Sequence, residues 1–278
     1  MTASNVRSIA VTSGKGGVGK SCIALNLAIA LGRLEQRVLL VDADLGLGNI
    51  AILAGLSPER TIEEVLAGQC GVAEAAVQGP ENIVVLPAAA AVDAVQWENF
   101  QAGGNIGEQL KEFETEFDVV VLDTGAGIGA RVVDFVAAVD HVFLVVTPEP
   151  TAIADAYAAL KVLVQRRSPQ GLGLLVNMAE SAVEAEDLYP KFQELAERFL
   201  GAKIDNLGYI PLDRYVRESV KRQTPFVLAD PPLPAAEAVV RLAATFLTGG
   251  KANPPQGAGV LARVLEQQSS SLFLDRIQ

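Results

Sequence analysis

Short apolar runs alternate with longer segments of helical periodicity along most of the chain. The apolar runs predict buried strands at residues 6–11, 37–41, 83–86, 118–122, 141–146, 172–176 and 207–210. Between them, apolar residues that recur every three or four positions predict helices at residues 21–31, 57–67, 106–117, 152–164, 189–200, 215–222 and 235–247. This alternation predicts an α/β protein whose mostly parallel sheet is flanked by helices on both faces.

The pattern divides the chain into three parts. Residues 1–247 carry the strand and helix pattern and are predicted to form one domain, whereas residues 88–104 within it lack a clear pattern and receive no role. Residues 248–259 contain four Gly and two Pro and predict a flexible linker. Residues 260–278 predict an amphipathic C-terminal tail, because their apolar residues fall near one helical face.

The stretch S-G-K-G-G-V-G-K-S lies between the first predicted strand and the first predicted helix. Gly14, Gly19, Lys20 and Ser21 match the P-loop spacing G-x-x-x-x-G-K-[ST]. In such a loop the backbone N–H groups enclose phosphate oxygens, the lysine neutralises them and the hydroxyl ligates Mg²⁺. The sequence therefore predicts a P-loop NTPase. The residues expected to contact the nucleotide are Gly14, Lys15, Gly16, Gly17, Val18, Gly19, Lys20, Ser21 and Cys22.

Carboxylates follow two of the predicted strands. Asp42 and Asp44 end the second strand, and we expect at most one of them to face the phosphates directly. Asp123 follows the most apolar run, 118–122, which is the Walker B pattern. We predict that Asp123 holds Mg²⁺ through water, together with Ser21 and Asp44 as further candidates for the metal site.

The base is predicted to be adenine. Guanine specificity usually requires an N/T-K-x-D element, but the comparable strand ends in Asn177-Met178-Ala179-Glu180, which lacks the Lys and the Asp. ATP and Mg²⁺ are therefore the expected substrate and cofactor.

Charge and composition limit the classes of partner and site that we expect. The 278 residues carry a formal net charge of −11, which disfavours nonspecific nucleic-acid binding. The two cysteines have no spacing typical of a metal site or disulfide. No signal peptide or membrane-spanning run is present, so we expect a cytoplasmic protein.

A second lysine, Lys15, gives the loop the form K-G-G-V-G-K-S, which resembles the deviant Walker A motif of the MinD/ParA ATPases. The resemblance implies a homodimer around ATP, in which Lys15 reaches the partner's phosphates and acts in catalysis with Lys20. It also implies that Asp44 orients the attacking water. By the same resemblance, Asn177, Pro211 and Asp213 line the adenine pocket.

Within this family the chain resembles the flagellar-number regulators called FlhG, FleN or YlxH. The resemblance covers residues 6–247 and rests on D-A-D-L-G-L-G-N, D-T-G-A-G-I-G, T-P-E-P-T and L-G-Y-I-P-L-D. It implies a slow ATPase that counts or positions flagella, with the GTPase FlhF or a basal-body or transcription protein as partner. It also implies that residues 260–278 bind reversibly to the inner face of the cell membrane.

Three alternatives stay open. The segment before the first strand lacks the D-Q-A-x-x-L-R motif with which many FlhG proteins activate FlhF, so a MinD-like ATPase that positions another cargo is one of them. A nucleotide-binding adaptor that does not hydrolyse ATP is another. The third concerns the tail, which could dock on its own domain in the monomer and be released when ATP drives dimerisation.

Overall fold

Eight strands form one sheet at the centre of the protein, in the order β3-β4-β2-β5-β1-β6-β7-β8. All neighbouring strands are parallel except β3 and β4. The computed structural model of the protein describes residues 6–45, 47–89, 106–166, 171–249 and 259–265. The strands are β1 (Arg7–Thr12), β2 (Val38–Ala43), β3 (Val77–Gln78), β4 (Ile83–Leu86), β5 (Val119–Thr124), β6 (His141–Val146), β7 (Gly171–Ala179) and β8 (Asp205–Pro211).

Helices cover both faces of the sheet, which confirms the predicted fold class. Helix α1 packs against α2 and α10, while α6, α7 and α8 pack against one another in turn. The helices are α1 (Lys20–Arg33), α2 (Ile50–Ala54), α3 (Ile62–Leu66), α4 (Val72–Ala75), α5 (Ile106–Glu114), α6 (Ala130–Ala137), α7 (Pro150–Arg166), α8 (Ala182–Leu200), α9 (Arg214–Lys221) and α10 (Pro234–Thr248). A 3₁₀ turn, Phe226–Leu228, precedes α10. Among the described helices, none is long and apolar enough to span a bilayer.

The helix predicted over residues 57–67 is shorter than expected, and the reason is local. Helix α3 begins at Ile62 because Thr61 caps it, and the Glu64 carboxylate accepts a 2.9 Å hydrogen bond from the Thr61 N–H in a capping box. Ser57-Pro58, taken as the start, lies outside the helix. The short helices α2 and α4, the two-residue edge strand β3, and α6 were not predicted.

Strand β1 lies in the middle of the sheet, between β5 and β6. Its residues 8–12 are buried, because helices cover both faces of the sheet, and this explains its largely apolar sequence. Next to it, β2 and β5 run in register so that Asp42 pairs with Asp123 at their carboxyl ends. The loop after β1 thus meets two buried carboxylates at one edge of the sheet, where ligands of such folds bind.

The C-terminal region is described only in part. Residues 260–265 form a helical turn that packs on the domain, and Val260, Leu261, Val264 and Leu265 join the main hydrophobic core. Residues 266–278 of the predicted tail, 250–258 of the predicted linker and 90–104 of the unassigned segment lie outside the described residues. The division at 247, 248–259 and 260–278 stays a prediction.

Candidate nucleotide site

A crevice of about 790 Å³ lies at the carboxyl ends of β1, β2 and β5. One wall is the P-loop and the start of α1, and the other wall includes Asp44 and Gly125. Its volume lies in the range typical of small-molecule sites. The P-loop residues that line the crevice are Gly16, Gly17, Gly19, Lys20, Ser21 and Cys22.

The loop glycines have two different roles. Gly17 and Gly19 have φ angles of 82° and 91°, in the left-handed region that glycine tolerates at little cost. Gly14 instead packs against α7, because a Cβ there would lie 2.0 Å from the Asp155 carbonyl oxygen. Gly14, Lys15 and Val18 are not among the residues lining the crevice. The close approach to α7 is thus a second reason for a glycine in the P-loop pattern.

Lys20 is buried beside the two carboxylates that the sequence predicted. Burial lowers the pKa of Lys20, and the charges of Asp123 and Asp44 oppose that shift. Burial raises the pKa of Asp44, and Lys20 in turn opposes it. The structure therefore brings Lys20, Asp44 and Asp123 into one electrostatic cluster, with Asp44 lining the crevice.

Asp123 is fully buried, and neither of its carboxylate oxygens accepts a hydrogen bond of normal geometry from the described residues. Burial raises its pKa well above the ordinary value, as does Asp42, whereas Ser21 and Lys20 lower it. An unpartnered buried carboxylate is costly, and a hard cation such as Mg²⁺ would satisfy it. No group of three or more His, Cys, Asp or Glu that could hold a metal occurs in the described ranges. Asp123 with the Ser21 hydroxyl fits an ion whose remaining ligands are phosphate and water.

Asp42 is equally buried, but its carboxylate is fully engaged by the loop that follows β2. Oδ2 accepts hydrogen bonds from the N–H groups of Asn49 and Ile50 at 2.9 and 3.0 Å. Oδ1 accepts one from the Asp44 N–H at 3.2 Å. Burial raises the pKa of Asp42 to about 6 against these three hydrogen bonds. Asp42 therefore shapes the loop, and Asp44 is the member of the pair that faces the crevice.

Lys15 makes its contacts away from the crevice. Its Nζ lies 3.4 Å from Glu149 Oε2 and 3.0 Å from Thr151 Oγ1. The side chains of Lys15 and Glu149 are 39% and 67% exposed, so this ion pair contributes at most about 1 kcal/mol. The ammonium group is thus held weakly at the start of α7.

A second, mainly apolar pocket of about 360 Å³ adjoins the P-loop at Gly19. Asn177, Pro211 and Asp213, which the resemblance assigns to the adenine pocket, all line it. The Asn177 amide donates to the Val18 carbonyl oxygen at 2.7 Å, so one of its N–H groups already holds the P-loop. Asp213 accepts from the Tyr215 N–H at 2.9 Å and caps α9. Its Oδ2 is buried and accepts no hydrogen bond from the described residues.

Cys22 lies in the first turn of α1, where it lines both pockets. Burial raises the pKa of its thiol to about 12, so the thiol stays protonated at neutral pH and is a poor nucleophile. Its place in the predicted set is therefore that of a packing contact at the junction of the pockets.

Glu149, Thr151 and Arg131 are among the residues of this region that had no predicted role. Glu149 and Thr151 hold Lys15, and they belong to the T-P-E-P-T stretch that the sequence singled out without a function. Arg131, in the first turn of α6, lines the crevice opposite the P-loop. Its position two residues after the D-T-G-A-G-I-G stretch was the available signal.

The parallel sheet, the loop between β1 and α1 and the unpartnered Asp123 define a P-loop NTPase-type nucleotide site. The family model for ParA, described as NUBPL iron-transfer P-loop NTPase, matches residues 5–247. The chain therefore belongs to the ParA/MinD family of P-loop NTPases.

Similarity to individual proteins shows which members of this family the chain resembles. It is 42% identical to the antiactivator FleN of Pseudomonas aeruginosa over 78% of each chain. It is 34% identical to the flagellum site-determining protein YlxH of Helicobacter pylori, over 77% of this chain and 74% of that protein. Among solved structures, it resembles the septum site-determining protein MinD of Pyrococcus horikoshii in complex with Mg-ADP. The TM-score is 0.72 at 27% identity, over 89% of this chain and 99% of that one.

Proposed function

We propose that the protein is an ATP-dependent switch in which two copies dimerise around ATP and Mg²⁺, hydrolyse ATP slowly and regulate the number or position of flagella. The observation that carries the proposal is the placement of the two loop lysines. Lys20 is buried beside Asp123, whereas Lys15 contacts Glu149 and Thr151 outside the crevice. The relatives FleN and YlxH support the flagellar role.

Each residue of the crevice has a defined task in this proposal. Lys20 and the loop N–H groups neutralise the phosphates, and Ser21 and Asp123 hold the Mg²⁺, which would offset charge on the transferred phosphoryl group. Asp44 orients the attacking water, since its half-buried carboxylate lines the crevice without belonging to the loop. Asp42 supports this role because it fixes the backbone N–H of Asp44.

Lys15 acts on the phosphates of the partner copy. Its contacts with Glu149 and Thr151 are exposed and weak, so exchanging them for a phosphate costs little. A cation supplied in trans to a phosphoryl transition state contributes on the order of 10³–10⁵ in rate. The active site is then complete only in the dimer, which makes hydrolysis depend on assembly.

The adenine base binds in the apolar pocket beside Gly19. Asn177 and Pro211 line that pocket, and the buried Oδ2 of Asp213 is an acceptor suited to an amino group of the base. ATP rather than GTP is assigned as the substrate because Asn177-Met178-Ala179-Glu180 lacks the Lys and the Asp of the guanine-reading element.

Residues 1–247 are the ATPase domain, 248–259 the linker and 260–278 the membrane-binding tail in this proposal. The protein works in the cytoplasm and binds reversibly to the inner face of the cell membrane. Two tails on one dimer bind lipid better than one, by roughly 10²–10⁴ through effective concentration. Partners on the flagellar side are a GTPase of the FlhF type or a basal-body or transcription protein, and no direct contact with nucleic acid is proposed.

The test is the mass of the Asp44→Ala variant in solution, measured by light scattering with Mg²⁺-ATP. Asp44→Ala should bind ATP and remain locked as a dimer of twice 29.2 kDa, and with ADP it should be a monomer. The matched control is the double variant Lys15→Ala/Asp44→Ala, which should dimerise less. A monomer under all conditions would contradict the switch.

The locked variant also tests the cargo. A pull-down with Asp44→Ala and Mg²⁺-ATP should enrich flagellar proteins relative to the same protein with ADP. Enrichment of division or chemotaxis proteins instead would replace the flagellar role with another positioning role.

A further inference from the structure

The described end of the chain is packed onto helix α5. The apolar side chains of residues 260–265 are all at least 93% buried, so none of them is available to a lipid or a partner in this conformation. The buried set is Val260, Leu261, Ala262, Val264 and Leu265.

One carboxylate lies at the start of this segment. Glu114, the last residue of α5, is only 2% exposed. Its Oε2 accepts a hydrogen bond from the Val260 N–H at 2.5 Å, and its Oε1 accepts one from the Leu261 N–H at 2.7 Å. These N–H groups belong to the first turn of the segment, where a helix offers them no internal partner. Glu114 therefore provides acceptors for two backbone N–H groups, and both of its own carboxylate oxygens have a hydrogen-bond partner.

Gly259 fits the same contact. A Cβ at this position would lie 2.5 Å from the Glu114 Oε2 atom and 3.2 Å from the Lys111 Cα atom. The segment can approach α5 this closely only because residue 259 has no side chain. The contact is therefore specified from both sides, by a carboxylate on the domain and by a glycine on the segment.

We propose that Glu114 is the latch residue of an intramolecular docking site, and that its contact with the N–H groups of Val260 and Leu261 keeps the C-terminal segment on the domain. Releasing the segment exposes its buried apolar side chains together. The inference rests on the proposed function only for what the released segment binds, namely a lipid surface.

Burying a glutamate costs desolvation free energy, so this residue type is not expected where a side chain only fills space in the core. Burial raises the pKa of Glu114 to about 7, against the two N–H donors and the charge of Arg263, which lower it. An apolar residue would avoid this cost but could not accept the two hydrogen bonds. The two hydrogen bonds to the segment are therefore what a glutamate provides at this position and an apolar residue could not.

Hydrogen–deuterium exchange of the full chain tests the latch. Glu114→Gln keeps the size of the side chain but places an amide N–H₂ against one of the two backbone donors. The amides of residues 260–265 should then exchange at least about tenfold faster, while those of α5 stay protected. The matched control is Glu112→Gln, an exposed glutamate on the same helix. Unchanged exchange of residues 260–265 in Glu114→Gln would overturn the latch.

A substitution at Gly259, on the segment's side of the contact, tests the latch independently of the Glu114 substitution. Gly259→Ala should also accelerate exchange of residues 260–265, because its Cβ meets the Glu114 carboxylate. In a Glu114→Ala background, the same glycine substitution should have a much smaller additional effect, since the obstructing oxygens are gone. Equal effects of Gly259→Ala in the two backgrounds would contradict the contact.

Sedimentation with vesicles of phosphatidylglycerol and phosphatidylethanolamine separates the latch from the membrane proposal. Glu114→Gln should sediment with these vesicles without ATP, whereas the unsubstituted protein and Glu112→Gln should not. Faster exchange without sedimentation supports the latch and contradicts the membrane role of the tail. Unchanged exchange contradicts the latch whatever the sedimentation result.

Discussion

The nucleotide crevice and the docking site of the C-terminal segment each contain a buried carboxylate, and the two differ in their partners. Asp123 is fully buried, and neither oxygen accepts a hydrogen bond of normal geometry from the described residues. Glu114 is 2% exposed, and both of its oxygens accept backbone N–H groups. Burial raises the pKa of both residues. Burial alone therefore does not separate a ligand site from an internal contact, whereas the hydrogen-bond partners do.

The other buried or partly buried aspartates near the crevice follow the same rule. Asp42 is as buried as Asp123 but accepts three backbone N–H groups, and it organises the loop after β2. Asp213 keeps a buried oxygen without a hydrogen bond from the described residues, and it lines the apolar pocket. The unsatisfied oxygens lie where the nucleotide is proposed to bind, and the satisfied ones hold chain segments together.

The largest effect is expected at Lys15, because its proposed role is in the active site of the partner copy. Lys15→Ala should retain most of its ATP affinity but lose partner-stimulated turnover by a factor on the order of 10³–10⁵. Steady-state hydrolysis with the activating partner and equilibrium ATP binding measure the two quantities. Lys161→Ala, an exposed lysine on α7, is the matched control. Normal stimulated turnover in Lys15→Ala would reduce Lys15 to a surface residue.

Asp42 and Asp123 should respond in opposite ways when each is replaced by alanine. Asp42→Ala leaves three backbone N–H groups without their acceptor, that of Ile50 buried and those of Asp44 and Asn49 partly buried, and should lower the free energy of unfolding by about 1–3 kcal/mol. Asp123→Ala removes a carboxylate that accepts no hydrogen bond of normal geometry from the described residues, and relief of its desolvation offsets the lost attraction to Lys20. That free energy should therefore stay unchanged or rise by up to about 2 kcal/mol. Urea unfolding without nucleotide measures both. A similar loss of unfolding free energy in the two variants would contradict the distinction between Asp42 and Asp123.

Stability without nucleotide should fall as the pH rises from about 4.5 to 8. The pKa values of Asp42 and Glu114 are raised to about 6 and about 7, so each binds its proton more tightly in the folded protein. Their contribution is complete at low pH and is lost as the pH passes through these values, by up to about 1.4 kcal/mol per pH unit for each group.

Thermal unfolding measured between about pH 4.5 and 8 tests whether stability falls as the pH rises. Glu114→Gln should flatten the upper part of the profile, near pH 7, and Glu112→Gln should leave it unchanged. A melting temperature that rises steadily with pH would contradict the assignment.

The smallest effect concerns the base. ATP should bind at least about tenfold more tightly than GTP, and Asp213→Asn should weaken ATP binding by about 3–10-fold, the size of one modest hydrogen bond. The asparagine keeps an oxygen for the cap of α9, so the fold is preserved. Displacement of a fluorescent ATP analogue measures both ratios. Equal competition by GTP would remove the adenine assignment.

Much of this architecture could be predicted from the sequence, because strong local signals agree with one another. The seven longer strands and the P-loop follow from apolar runs and glycine spacing. The two-residue strand β3 carries too few positions to show a period, and the start of α3 depends on a capping box that competes with the Ser-Pro turn signal. Short elements of this kind are fixed by tertiary contacts rather than by their own pattern.

Residues of the candidate site could be predicted where a local motif identifies them. They could not be predicted where their role depends on contacts between residues far apart in the sequence. Lys20, Ser21 and Asp123 follow from motifs. The contact of Lys15 with Glu149 joins residues 134 positions apart, and that of Glu114 with Val260 joins residues 146 apart. A single sequence contains no signal for such pairs, and the role of Gly14 in packing on α7 is hidden by the motif to which it also belongs.

The central claim is that the unpartnered carboxylate of Asp123 is a site prepared for Mg²⁺-nucleotide. Thermal unfolding of the unsubstituted protein and of Asp123→Ala, each with and without Mg²⁺-ATP, tests it most directly. At 100 times the dissociation constant, ligand should stabilise the unsubstituted protein by roughly 2.7 kcal/mol. Asp123→Ala should be at least as stable as the unsubstituted protein without ligand and should lose most of the Mg²⁺-dependent gain. A variant that is less stable without ligand and keeps the full gain would contradict the account.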